Sequence, residues 1–283
     1  MAADKKTELK VATFLTPSVS VEFFEALMSY LESKLKCQTT LRYESRFEGP
    51  LVERGDVFKE SIDLAFMTAS GFLKLQKTWP EQTFELFPIS TVHLHPKGDS
   101  SSPNIWIDIV VNKNMKNIKD FVSEMRGVRW VRNVNDQLTE ALTLHSLKTM
   151  GENASFFSNV LKSRSHLESL RMILQRKAHA SAVDANCFEM YLRENPNERE
   201  QLFRIASWGP LPPYALVVRK SLDEDIKRKL FDTLSTMHDT TDGKMILQSF
   251  KIIRFDRINR HDLEFGQDLI AATRGMTFDT VYY

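Results

Sequence analysis

Strand-length apolar runs alternate with segments of helical periodicity along most of this 283-residue chain. That alternation is the strongest restriction on its fold, because it calls for β–α units and parallel pairing rather than a bundle or a sandwich. Leu9 to Leu15 is an apolar strand run ended by Thr16-Pro17-Ser18, and Val21, Phe24, Leu27, Met28, Leu31 and Leu35 then recur at helical spacing over 19–36. Strands are predicted at Thr39 to Glu44, Ile62 to Met67, Phe84 to Val92, Ile105 to Val111, Val128 to Val131, 179–183 and Tyr214 to Val218. Helices are predicted to end near Ser61 and to cover Phe72 to Lys77, 117–125, 137–150, 167–176, 186–195, 222–237, 242–249 and 261–272.

Two breaks divide the chain. His95 to Pro103 is rich in Gly, Ser and Pro, and Trp208-Gly209-Pro210-Leu211-Pro212-Pro213 carries three prolines that fix φ and remove backbone donors. They bracket a central block inserted in an outer unit: lobe one over 1–95 plus 212–283, lobe two over 96–211, joined by two hinge crossovers with a ligand cleft between the lobes.

Composition excludes more than it selects. Lys+Arg (38) and Asp+Glu (37) nearly cancel, which argues against nucleic acid as a partner. No stretch of 18 apolar residues exists to span a membrane. Leu9 to Thr16 is too short and too interrupted for a secretory leader, so a cytoplasmic protein is expected, or a periplasmic or secreted one whose leader has been removed. Cys37 and Cys187 are expected as two reduced thiols.

The segments Lys10-Val11-Ala12 with Thr16-Pro17-Ser18, Ile62 to Met67 with Thr68-Ala69-Ser70-Gly71, Ser165-His166-Leu167-Glu168, Ala182-Val183-Asp184 and Leu211 to Lys220 come in a telling order. In that order and spacing the chain resembles the phosphate/phosphonate-type substrate-binding proteins of ABC importers. The resemblance implies an α/β, two-lobed type II periplasmic-binding-protein fold that closes over a small-molecule ligand without catalysis. A transporter partner is in tension with a leaderless chain. The rival reading is a thiamine-metabolism-type enzyme using the same cleft.

The resemblance also selects site residues. Thr16 and Ser18, then Thr68 and Ser70, sit at strand ends where open α/β sheets bind ligands, with Ser70 as the expected helix cap. Asn135, Asp136, Gln137 and Thr139 open a helix at the family's phosphonate-gripping turn, but Asp136 puts a carboxylate where a phosphonate would sit. His166 matches the family's cleft histidine, and Asp184 with Asp136 would make an acidic pair for an amine or guanidinium. The expected ligand is therefore zwitterionic or cationic and only conditionally phosphonate-like. Trp130, Trp208 and Tyr214 are candidate aromatic walls, against the plainer alternative of core packing. No metal and no cofactor is expected: His93 and His95 share a strand face without further ligands nearby, and Cys187 has no base placed by local spacing.

Overall fold

The computed structural model describes residues 8–15, 18–44, 49, 58, 62–79, 83–98 and 101–279. Its strands are β1 (Glu8–Thr13), β2 (Gln38–Tyr43), β3 (Leu64–Met67), β4 (Phe84–Phe87), β5 (Ile89–His93), β6 (Ile105–Asn112), β7 (Arg129–Asn133), β8 (Asn159–Ser163), β9 (Ala180–Asp184), β10 (Leu202–Leu211), β11 (Ala215–Arg219) and β12 (Ile252–Arg257). Its α-helices are α1 (Val21–Leu35), α2 (Ala69–Thr78), α3 (Phe121–Met125), α4 (Gln137–Thr149), α5 (His166–Leu174), α6 (Ala185–Glu194), α7 (Glu224–Ser235), α8 (Thr241–Ser249) and α9 (Arg260–Ala272).

The chain divides into two compact units: unit 1 is Met1–Asn104 with Pro212–Leu263, and unit 2 is Ile105–Leu211 with Glu264–Tyr283. The sequence alone places 212–283 whole in lobe one. The regrouping of the C-terminal stretch has local causes within unit 2. Arg132 Nη2 holds both carboxylate oxygens of Asp279 at 2.8 Å, and Lys148 Nζ donates to the Ala272 carbonyl at 3.2 Å. The Phe278 ring also lies 6.1 Å from that of Phe157.

Each unit is built on a five-stranded sheet, and the two sheets have one plan. In unit 1 the order is β2-β1-β3-β11-β4; in unit 2, read from its far edge, it is β8-β7-β9-β6-β10. The first three strands of each run parallel, which requires helical crossovers. The fourth runs antiparallel to both neighbours. The expected mostly parallel sheets are thus mixed. The third strands, β3 and β9, are buried at every position, as strands covered on both faces must be. In unit 2, Val110, Val131 and Val183 meet Leu170 and Ile173 of α5 and Phe188 of α6 in one cluster.

Two expected elements take different forms. The run Phe84 to Val92 is two strands, not one. Pro88 interrupts it, and β5 leaves the sheet to pair antiparallel with β12. Trp208 to Leu211 is the end of β10 rather than a break, with register shifts at Arg204/Ala206 and Trp208/Leu211. β10 is an edge strand, where a proline removes no ladder bond.

Candidate functional site

In a parallel β–α unit the helix N-terminus lies at the carboxyl end of the strand before it, and ligands of open α/β sheets gather there. In unit 2 three such ends are built from β7–α4, β8–α5 and β9–α6. Asp136 caps α4: the Thr139 amide donates to its Oδ1 at 3.2 Å and the Thr139 hydroxyl to Oδ2 at 2.6 Å. His166, the first residue of α5 and fully buried, reaches the same Oδ2 with its Nε2 at 3.1 Å. Burial pushes the Asp136 pKa up, but the bonds from His166 and Thr139 outweigh it and hold the group below the ordinary carboxylate value. An ionised carboxylate only accepts, so Nε2 carries the proton of that bond.

Asp136, Thr139 and His166, separate in sequence, are therefore one buried cluster. Asp136 spends its oxygens inside it and is not a free charge facing a ligand. Asn135 is held nearby, its Nδ2 donating to the Arg164 carbonyl at 3.0 Å, while Gln137 is exposed. Asp184 caps α6 by accepting from the Cys187 amide at 2.9 Å and is itself buried.

In unit 1 the corresponding ends are β1–α1 and β3–α2. Thr68, not Ser70, caps α2, with its hydroxyl accepting from Gly71 N at 3.0 Å. Ser70 is the second residue of that helix, because α2 begins three residues earlier than its apolar spacing indicates. Ser18 is buried just before α1. Thr16 lies outside the described residues.

The aromatic candidates mostly serve the core. Trp130 is 1% exposed and stacks on Phe157 at 4.3 Å, so it is a core residue of unit 2 and not a ligand wall. Tyr214 is buried edge-on to His93 at 5.4 Å, and with Phe66, Ile89, Ser90, Thr91, Ala215, Leu216 and Phe255 it lines a cavity of about 10 Å³, room for one water. Trp208 is half-buried on β10, edge-on to Phe121 at 5.2 Å. His93 is engaged by Thr91 at 2.8 Å, and His95 Nδ1 accepts from Lys97 N at 3.1 Å. Cys187 is fully buried, and burial followed by the Asp184 and Glu194 charges pushes its thiol pKa well up, the reverse of an activated nucleophile. A groove of about 510 Å³ runs along α5 and the C-terminal half of α6, lined by Leu167, Arg171, Tyr191, Glu194 and Glu198 among others.

Sequence reasoning passed over Ser20, the N-cap of α1, and Asn133, the last residue of β7. The signal for Ser20 was present, a Ser immediately before an apolar helical repeat. Asn133 repeats a device of unit 1. Its Oδ1 accepts from Asn135 N at 3.1 Å, as Thr13 Oγ1 at the end of β1 accepts from Leu15 N at 3.2 Å.

The sequence matches, over residues 9–263, the model of a family described as the periplasmic substrate-binding protein of the ABC phosphonate transporter. Among curated proteins no relative is found by sequence. Among solved structures, PhnD1 of Prochlorococcus marinus in complex with methylphosphonate is similar at 15% identity, covering 95% of this chain and 99% of that one, with a TM-score of 0.72. A binding protein component of an ABC phosphonate transporter from Pseudomonas aeruginosa is similar at 15% identity over 95% and 90%, TM-score 0.70. The periplasmic aliphatic sulphonate-binding protein SsuA of Escherichia coli shares 11% identity over 94% and 86%, TM-score 0.62. At these identities the structural likeness establishes the type II periplasmic-binding-protein fold. No helix among the described residues is long and apolar enough to cross a membrane.

Proposed function

The chain belongs to the family of periplasmic phosphonate substrate-binding proteins of ABC transporters, and from that premise we propose that it captures a small phosphonate-like ligand at the strand-end turns of its two units and closes over it. The observation that carries this reading is the shared sheet plan, which among the described residues gives both units helix N-termini at the carboxyl ends of the second and third strands of their sheets. Ser18, Thr68 and Ser70 are the proposed contacts from unit 1. Asn135, Gln137, Thr139, His166 and Asp184 are those from unit 2, with Trp208 as the remaining aromatic candidate.

Asp136, although held by Thr139 and His166, keeps its charge at the N-terminus of α4, so the anionic head of the ligand is placed away from that cap. Asp184 leaves room for a cationic group elsewhere on the ligand, so a zwitterionic phosphonate suits both units. The reading is non-catalytic. Cys187, the thiol an enzyme alternative would use, is buried with its pKa raised. The family description favours the periplasm over the cytoplasm, and we propose delivery to an ABC importer as the role.

Titration calorimetry of the purified protein with methylphosphonate, aminoethylphosphonate, inorganic phosphate and an aliphatic sulphonate tests this. At least one phosphonate is expected to bind saturably, and at a hundredfold excess over Kd to stabilise the fold by about 2.7 kcal/mol. Absence of saturable heat for every one of these oxyanions sinks the proposal.

A further inference from the structure

We infer that unit 1, not unit 2, holds the ligand's oxyanion, at the N-terminus of α1 through the hydroxyls of Ser18 and Ser20. This rests on the binding reading above and adds to it a direction: anionic end on unit 1, any cationic end toward unit 2.

Helix α1 is 15 residues long, and its first-turn amides have no partner within the helix and form its positive end. Ser20 stands at its N-cap with extended backbone (φ −69°, ψ 155°), the geometry from which a serine normally caps, yet its side chain makes no capping bond. Ser18 and Ser20 are 1% and 5% exposed, and neither Oγ has a hydrogen-bond partner among the described residues. A buried hydroxyl without a partner is costly, and such groups are rare enough in folded proteins to require a reason. Two of them beside one helix N-terminus form the donor set of an oxyanion site: two O–H groups and the amides of the first turn. Glu22, the acid in that turn, is exposed.

The repeated plan supplies an internal comparison. Ser20 and Asp136 occupy the same place, each the N-cap of the helix that follows the second strand of its sheet, and Thr68 and Asp184 match likewise after the third strand. Both caps in unit 2 are carboxylates that already accept from their own helices, at Thr139 N and Cys187 N. They neutralise those helix ends and oppose an anion. Both caps in unit 1 are neutral hydroxyls, and Thr68 is spent on Gly71. The N-terminus of α1, with Ser18 and Ser20, is thus the end suited by charge and by available donors to take a phosphonate, phosphate or sulphonate head.

The test uses the full-length protein with methylphosphonate and inorganic phosphate as probes, the double variant Ser18→Ala/Ser20→Ala, the single variant Ser20→Asp, and Asn135→Ala in unit 2. The double variant is expected to keep the ligand-free melting midpoint and to weaken the probe that binds by roughly tenfold to a hundredfold, the worth of hydrogen bonds to a charged group. Ser20→Asp is expected to cap α1 with its own carboxylate, raising the midpoint and abolishing binding. Probe affinity within twofold of wild type in both serine variants overturns the inference, as does a double variant that melts earlier with affinity unchanged. If affinity instead falls only with Asn135→Ala, the oxyanion lies on unit 2; this inference then fails while the binding reading stands. Wild-type protein that binds neither probe overturns this inference, and the binding reading falls with it when aminoethylphosphonate and the sulphonate also give no saturable heat.

Discussion

His93 and Asp136 are both buried ionisable side chains, and their surroundings leave them in opposite charge states. His93 meets the Thr91 hydroxyl and the edge of Tyr214, and burial lowers its pKa to about 4, so it is neutral in the fold. Asp136 is held ionised against burial by its bonds from His166 and Thr139. The consequences fall in different pH windows. Below pH 6.5 the unfolded chain protonates His93 while the fold refuses the proton, so this contribution is complete above 6.5 and lost as pH falls toward about 4. The interval corresponds to roughly 3 kcal/mol. The Asp136 contribution is complete above the unfolded value of 3.8 and is lost only below it. Denaturant unfolding at pH 7, 5.5 and 4.5 is therefore expected to show a decline in wild type that His93→Gln removes. Parallel pH profiles for the two proteins refute the assignment.

At the scale of elements, helix α8 reverses a rule of thumb. Gly243 lies in its first turn, where alanine is ordinarily better by about 1 kcal/mol. A Cβ there would stand 2.1 Å from the Met237 carbonyl oxygen and 2.7 Å from both Met237 Cγ and Thr240 Oγ1. Thr240 caps this helix through Gly243 N at 3.1 Å and meets Tyr30 Oη at 3.0 Å, so the turn has little freedom to yield. Gly243→Ala is expected to cost about 1–3 kcal/mol in chemical denaturation; a stabilised variant contradicts the packing. The same scale shows what the sequence could reveal. The strands buried on both faces, β3 and β9, were visible as apolar runs. Those overlooked, β8, β10 and β12, are two sheet edges and a member of the two-stranded pair. Such strands have a neighbour on one side only and can carry Asn, Lys, Arg and Pro, so apolar patterning does not mark them. The site divides in the same way. Asp136 and Thr139 read as one helix start, whereas their meeting with His166, 30 residues on, is tertiary and has no local signal.

For the molecule as a whole, each unit has its own sheet and buried residues, which favours separable unfolding. The four tryptophans report unequally: Trp79 belongs to unit 1, and Trp106, Trp130 and Trp208 to unit 2. Guanidinium transitions followed by tryptophan fluorescence and by far-UV circular dichroism are expected not to superimpose without ligand, and to merge when a bound phosphonate stabilises the folded chain. Superimposed curves in the ligand-free protein disprove it. The grouping of Glu264–Tyr283 with unit 2 has a further consequence, for the ribosome. The central block emerges early, but the residues carrying Asp279 to Arg132 follow only after all of Pro212–Leu263 has been made. At about 5–20 residues per second that is a wait of several seconds, during which a nascent unit 2 lacks its last piece.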